Sequence, residues 1–169
     1  IAVMDRNVRN GDWAPREGVQ LLGKTLGIVG LGGIGHEVAR IAAGIGMKVL
    51  AWNRTPRDSG VAELVSLEEL LERADVLSLN LTLNDETRDF LDASRLAQLK
   101  PGCILVNTAR AALVNEAALI AALESGRLRH AALDVFHNEP LEADNPLAAL
   151  PNVTVSAHSA FRTREASET

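Results

Sequence analysis

The sequence predicts an α/β domain: a doubly wound parallel sheet in three layers, helix, sheet, helix. Three observations predict it. Short apolar runs alternate with helical periodicity along most of the chain, the pattern of strand–helix–strand units. One run, Leu26 to Val29, leads into Gly30-Leu-Gly-Gly-Ile-Gly35, and helical spacing follows at Val38, Ile41 and Ile45. The side chains of chemical interest follow the apolar runs rather than interrupt them, as at the carboxyl edge of a parallel sheet.

The glycine segment carries most of this reading. Its glycines occupy the first, third and sixth positions of G-x-G-x-x-G, between a strand and a helix. Gly30 allows the tight turn, and Gly32 lets backbone approach a pyrophosphate without a Cβ. Gly35 lets the helix lie close to the strand. The segment opens a helix, whose first N–H groups and positive dipole end suit phosphate. The segment is therefore a candidate Rossmann-type dinucleotide site. The competing reading is a glycine-rich packing turn.

The elements follow in order. Residues 1–10 form the end of a helix that Gly11 and Pro15 break. Trp13, a large apolar side chain in a polar setting, covers a core edge or meets another subunit or domain. Met47 to Trp52 is a second strand after Gly44 and Gly46, and Ser66-Leu-Glu-Glu69 is a capping box opening a helix to Arg73. Asp75 to Leu79 is a third strand. Asn84 to Leu99 is a loop and a short helix, ended by Lys100-Pro-Gly102. Cys103 to Asn107 is a fourth strand, Asn115 to Glu124 a helix, and His130 to Val135 a fifth strand. Pro140 to Pro151 is a loop with room for one helical turn, Asn152 to Ala157 a sixth strand, and Thr163 to Thr169 the start of a helix. Without repeat or linker, residues 1–169 form one domain. Its core spans about 20–160, with 1–19 and 161–169 as partial linking or dimer-arm segments.

Bulk properties narrow the function. A chain of 169 residues buries roughly 70% of its unfolded surface. At 47% hydrophobic and 23% charged residues it has the composition of a soluble globular protein. The net charge is −5 and no dense Lys/Arg cluster points to nucleic acid. No apolar run approaches the ~20 residues that span a membrane. Cys103 lies in an apolar run and reads as a buried small hydrophobe, so no disulfide is expected and the location is cytoplasmic. His36, His130 and His137 form no metal-ligand set with His158, so no metal is expected. Gly-x-Ser-x-Gly is absent, which argues against an α/β-hydrolase.

In a sheet of this kind ligands bind beyond the strands' carboxyl ends, where strand order reverses. The usual order puts strands 1 and 4 beside that crevice. The fourth strand delivers Thr108, Ala109 and Arg110, the fifth Asp134 and then Glu139, the sixth His158. Arg110 is either a surface cation or a guanidinium fork for a carboxylate. His158 is either structural or, with Glu139 in reach, an imidazole whose tautomer and proton a carboxylate controls. Such a pair donates a proton to a carbonyl being reduced. Asp134 either caps the next turn or accepts from a nicotinamide amide.

Gly30-Leu-Gly-Gly-Ile-Gly35, Val106-Asn-Thr-Ala-Arg110, Ala132-Leu-Asp-Val-Phe136 with Glu139-Pro140, and His158 resemble the D-isomer-specific 2-hydroxyacid dehydrogenases. The resemblance runs over essentially the whole chain. It implies that Arg110 orients the substrate carboxylate, His158 is the acid/base and Glu139 its partner. Hydride would pass between nicotinamide and C2 of a 2-keto or D-2-hydroxy acid such as glyoxylate, hydroxypyruvate or phenylpyruvate. Cofactor contacts are expected at Gly30, Gly32, Gly33, Ile34, Gly35, Asn53, Arg54, Thr55, Thr82, Thr108 and Asp134. The family also has a smaller substrate domain built from both chain ends, which this stretch lacks. The cofactor domain alone is expected to bind dinucleotide with little turnover.

Two departures bear on specificity. An NAD-preferring second strand ends in Asp or Glu for the ribose 2′-OH, but here Asn53 stands there, followed by Arg54 and Arg57. Losing the carboxylate and gaining cations favours NADP over NAD; the competing reading is that Arg54 and Arg57 are solvated loop charges and NAD is used. Ala111 replaces the glycine common after the arginine, and Ser159-Ala160 replaces the usual residue-plus-glycine, so substrate identity stays open. Two other readings remain at this stage. One is a dinucleotide-sensing, corepressor-like binding module without turnover. The other is a chain kept for its homodimer interface, with Val3, Met4, Val8 and Trp13 on the arm.

Overall fold

Why the apolar runs become a sheet is visible in how their side chains alternate. The computed structural model describes residues 2–15, 17–55 and 60–164. In β1 (Thr25–Val29), Leu26 and Ile28 point to one face and Val29 to the other; in β2 (Lys48–Trp52), Val49 and Ala51 share the first face and Leu50 the second. Both faces are covered, so each run is apolar throughout rather than alternately polar. The remaining strands are β3 (Glu63–Leu64), β4 (Val76–Leu79), β5 (Cys103–Asn107), β6 (Leu128–Leu133) and β7 (Val153–Val155). Among the described residues they form a seven-stranded, all-parallel sheet in the order β3-β2-β1-β4-β5-β6-β7.

One face carries α2 (Gly33–Gly44), whose Ala39 and Ala42 let it lie close on Leu26, Ile28, Val49 and Ala51. The other carries α3 (Leu67–Arg73), α4 (Ala93–Gln98) and α5 (Glu116–Glu124). Their leucines, with Leu77, Leu79 and Leu105, make the larger core. Gly27 is small because α3 needs the space: a Cβ there would lie 2.8 Å from Leu70 Cδ2 and 2.9 Å from the Ala74 Cβ. Side-chain caps start these helices. Ser66 Oγ accepts from Glu69 N, Asp92 from Arg95 N and Asn115 from Ala118 N. A further turn, α6 (Pro146–Ala149), is capped by Asn145, and the N-terminal α1 spans Ala2–Arg9.

The expected order of elements is present, with corrections at the edges. β6 starts at Leu128 and ends at Leu133, two residues earlier than expected at each end, because Leu128 is fully buried although Arg129 and His130 follow it. β7 is three residues, shorter than expected at both ends. The helix expected from Thr163 to Thr169 lies almost wholly outside the described residues. Trp13 is 81% exposed and so covers no core edge of this chain. The larger correction is β3. Two exposed residues carry no periodic signal, but this strand moves every later ordinal by one. The strand across the switch from β1 is therefore β4, which is followed by Asn80, Leu81 and Thr82, and not the strand that delivers Arg110.

Candidate active site

The glycine turn is built by exclusion. Gly30 has φ +97°, and a Cβ on it would sit 2.7 Å from the Asn80 carbonyl oxygen. A Cβ on Gly35 would lie 2.2 Å from the Gly30 carbonyl, so this position admits no side chain. Above Gly32 and Gly33 the situation is the opposite: a Cβ would meet nothing within 4 Å. That open space sits over the start of α2, which Gly32 caps without a side-chain hydrogen bond. Backbone bare of side chains, at the N-terminus of a 12-residue helix, fits a pyrophosphate.

Two adjoining clefts run along the strands' carboxyl edge and share Asn80, Leu81 and Thr82. The first, about 370 Å³, lies between the β2 and β4 ends. Trp52 and Phe90 line it with ring centroids 5.4 Å apart. Thr55 and Thr82 also line it. Asn53 lies here but is engaged: its Oδ1 accepts from Leu31 N at 3.2 Å and its Nδ2 donates to the Thr55 carbonyl at 2.6 Å. It braces the glycine turn from beneath. Arg54, read from the sequence as a cation favouring NADP, is paired with Glu86. Arg57 lies outside the described residues.

The second cleft, about 690 Å³, gathers Ile34, Thr108, Arg110, Asp134 and His158. Arg110 is exposed, and its Nη1 donates to the Ala109 carbonyl at 2.6 Å. Buried Asn107 shapes that turn, donating through Nδ2 to the Arg110 carbonyl at 2.9 Å and accepting from Ala109 N at 3.1 Å. His158 and Glu139 meet as expected, with Nδ1 2.7 Å from Oε2. Glu139 Oε1 accepts from Phe136 N at 3.0 Å. The His158 hydrogen bond, helped by Phe136 N, holds the Glu139 carboxyl below the usual carboxylate range. Glu139 is thus an anion that fixes the imidazole by its Nδ1 side. The Phe161 ring stands edge-on to the imidazole, centroids 5.9 Å apart.

Asp134 is 3% exposed and does more than cap a turn. Its Oδ1 accepts from Ser156 Oγ and from Ser159 N at 3.0 Å, and its Oδ2 accepts from Ala160 N at 2.8 Å. Burial pushes its pKa up, but these hydrogen bonds outweigh burial and hold it below the usual value. The donors flank His158, whose backbone takes the left-handed φ of +47°. Asp134 therefore clamps the loop that carries the imidazole.

Other candidates fall away. Burial pushes the Cys103 thiol up to about 12, which leaves it protonated and inert. His130 pairs with Thr154 Oγ1 at 2.8 Å, and burial lowers its pKa. Among the described residues, no three His, Cys, Asp or Glu side chains gather as metal ligands, and no helix is long and apolar enough to cross a membrane. Sequence reasoning missed Asn80, Asn107, Ser156 and Glu86. The first follows from the missed strand. The others act through partners distant in sequence or through backbone atoms.

Known proteins share this sequence and fold. The family model for the D-isomer specific 2-hydroxyacid dehydrogenase, NAD binding domain, matches residues 1–160. A glyoxylate reductase from Aeropyrum pernix is 46% identical over 179 residues, covering 98% of this chain and 53% of that protein. The structure of a glyoxylate reductase from Paecilomyes thermophila superposes with a TM-score of 0.93 at 42% identity, over 98% of this chain and 52% of that one. A D-isomer specific 2-hydroxyacid dehydrogenase from Xanthobacter autotrophicus, in complex with NADPH and MES, is 37% identical with a TM-score of 0.83, over 92% and 51% of the two chains. This chain spans about half the length of each of these relatives. It belongs to the D-isomer-specific 2-hydroxyacid dehydrogenase family and carries that family's NAD-binding domain.

Proposed function

We propose that this chain is the cofactor-binding half of a dehydrogenase that interconverts a 2-keto acid and a D-2-hydroxy acid. The observation that carries the reading is the 2.7 Å contact between His158 Nδ1 and Glu139. An imidazole held through Nδ1 presents Nε2 for proton transfer. In reduction, protonated His158 gives its Nε2 proton to the carbonyl oxygen that becomes the hydroxyl; in oxidation it takes the proton back. Glu139 stabilises the imidazolium in between. Arg110, in the same cleft, grips the substrate carboxylate with its guanidinium fork after leaving the Ala109 carbonyl. The nicotinamide ring supplies or accepts the hydride when bound.

Gly30, Gly32, Gly33, Ile34 and Gly35 would hold the pyrophosphate. Thr55 and Thr82 flank the adenosine end, and Thr108 and Asp134 the nicotinamide end. The cofactor is NAD or NADP, with NADP preferred. Neutral Asn53 removes the repulsion that a carboxylate offers a 2′-phosphate, and Arg54 can leave an exposed carboxylate for a phosphate that binds it more strongly. NADPH in the Xanthobacter relative is in keeping with this. A glyoxylate-like substrate class is favoured by the similarity to glyoxylate reductases. The arm with half-exposed Val8 and exposed Trp13 suits a homodimer contact.

The test is a panel of 2-keto acids assayed with NADH and NADPH on the full-length gene product, beside nicotinamide-fluorescence titration of this chain. Tighter NADH binding would sink the NADP preference. Near-normal activity of His158→Ala would remove it as the acid. Steady-state turnover by the 169 residues alone would overturn the view that a second domain completes the pocket.

A further inference from the structure

Arg54 and Glu86 pair with each other and both line the cleft at the β2 and β4 ends. Arg54 stands two residues past β2, whereas Glu86 belongs to the loop after β4. That loop is pinned. Asn84 Oδ1 accepts from Glu86 N and Thr87 N, both at 3.0 Å, and Thr87 Oγ1 donates to the Thr82 carbonyl at 2.8 Å. The backbone that carries Glu86 is thus anchored, and Arg54 is the longer of the two side chains. The two side chains are 73% and 71% exposed, so water and salt screen the pair and it opens at small cost.

We propose that Glu86 is a specificity determinant for the nucleotide: it tethers Arg54 and sets how strongly a 2′-phosphate is preferred over a bare ribose. This rests on the reading that Arg54 meets the 2′-phosphate. A 2′-phosphate must draw Arg54 off Glu86, and it leaves the Glu86 carboxylate unpaired beside a second anion. Both effects oppose the phosphorylated nucleotide. Neither touches a nucleotide without the phosphate, and beside such a ribose the tethered pair stays closed. Asn53 is no substitute for Arg54, since it carries no charge and its amide oxygen and nitrogen both already hydrogen-bond in the turn.

Glu86→Gln keeps the length and the backbone hydrogen bonds of the turn and removes the charge. The ligands are 2′,5′-ADP and 5′-AMP, which differ only by the 2′-phosphate, titrated by calorimetry into the wild type, Glu86→Gln, Arg54→Gln and the double variant. Binding of 5′-AMP reports that each variant is folded. The ratio of the two affinities is expected to shift toward 2′,5′-ADP by about three- to tenfold in Glu86→Gln, the scale of an exposed ion pair plus one like-charge repulsion. In the Arg54→Gln background the same change is expected to yield a smaller shift, because only the repulsion remains. An unchanged ratio in Glu86→Gln overturns the proposal. If the wild type then still prefers 2′,5′-ADP through Arg54, the NADP reading survives without it. If the wild type shows no preference and Glu86→Gln creates one, the proposal holds and the NADP reading fails.

Discussion

Replacing Asp134 by Asn separates two roles that the residue's position allows. The carboxylate accepts three hydrogen bonds from the loop that carries His158. Asn is nearly isosteric, but its amide offers one acceptor oxygen. With Oδ1 kept for Ser156 Oγ and Ser159 N, the Nδ2 group faces the Ala160 N–H, donor against donor. One charge-assisted bond is lost, worth about 1.5–3 kcal/mol, and two others weaken to neutral strength. Burying a neutral amide costs less than burying a charge, and water reaches the exposed Ala160, so the net loss is about 2 kcal/mol. For a chain of this size that lowers the melting temperature by about 4–8 °C. The pH dependence has a definite sign. A folded pKa below the unfolded value of about 3.9 means the stabilisation is fully present above that pH and is lost as pH falls through the folded pKa. The gap between wild type and Asp134→Asn is therefore largest at neutral pH and narrows below about pH 4. Urea unfolding at both pH values measures it, and hydrogen exchange at the Ser159 and Ala160 amides localises it. Both are run without nucleotide. Equal midpoints and equal exchange rates would refute the clamp and leave Asp134 only a ligand contact.

Three further outcomes follow from local geometry. Gly35→Ala puts a Cβ 2.2 Å from the Gly30 carbonyl, a backbone atom that cannot give way, so dinucleotide affinity is expected to fall at least about tenfold; an unchanged fluorescence titration would contradict this. Gly27→Ala pushes on Leu70 and Ala74 across the sheet–helix contact and is expected to cost about 1–3 kcal/mol in urea unfolding. His158→Ala removes the main cause of the low Glu139 pKa, so the Glu139 carboxyl should titrate at higher pH by NMR. The pairing it reports is present above the ordinary Glu value of about 4.3 and lost as pH falls, and no change in the titration would mean the pair is not formed in solution.

What was readable in the chain depended on how locally each signal is encoded. The glycine turn, the capping residues Ser66 and Asn115 and the apolar runs state their structure within about ten residues, and the fold follows from them. Arg110, Glu139 and His158 are legible as candidates because each follows an apolar run at the sheet's carboxyl edge. The Glu139–His158 contact needed only that neighbouring strands bring their loops together. β3 was missed because two exposed residues have no period. The cost was not those two residues but the position of the switch, and with it Asn80.

The specificity end was less legible for a different reason. Asn53 and Arg54 are where a strand ending of this type points, yet a residue type and a position do not reveal whether its hydrogen-bonding capacity is free. Asn53 gives its oxygen to Leu31 N, 22 residues back, and Arg54 pairs with Glu86, 32 residues on. Asp134 shows the same thing at the other end: both of its oxygens already accept, from Ser156, Ser159 and Ala160. Position locates the cleft, whereas occupancy decides what the cleft can select. A specificity assigned from the residue at the end of β2 alone therefore counts the arginine and leaves out the carboxylate that holds it.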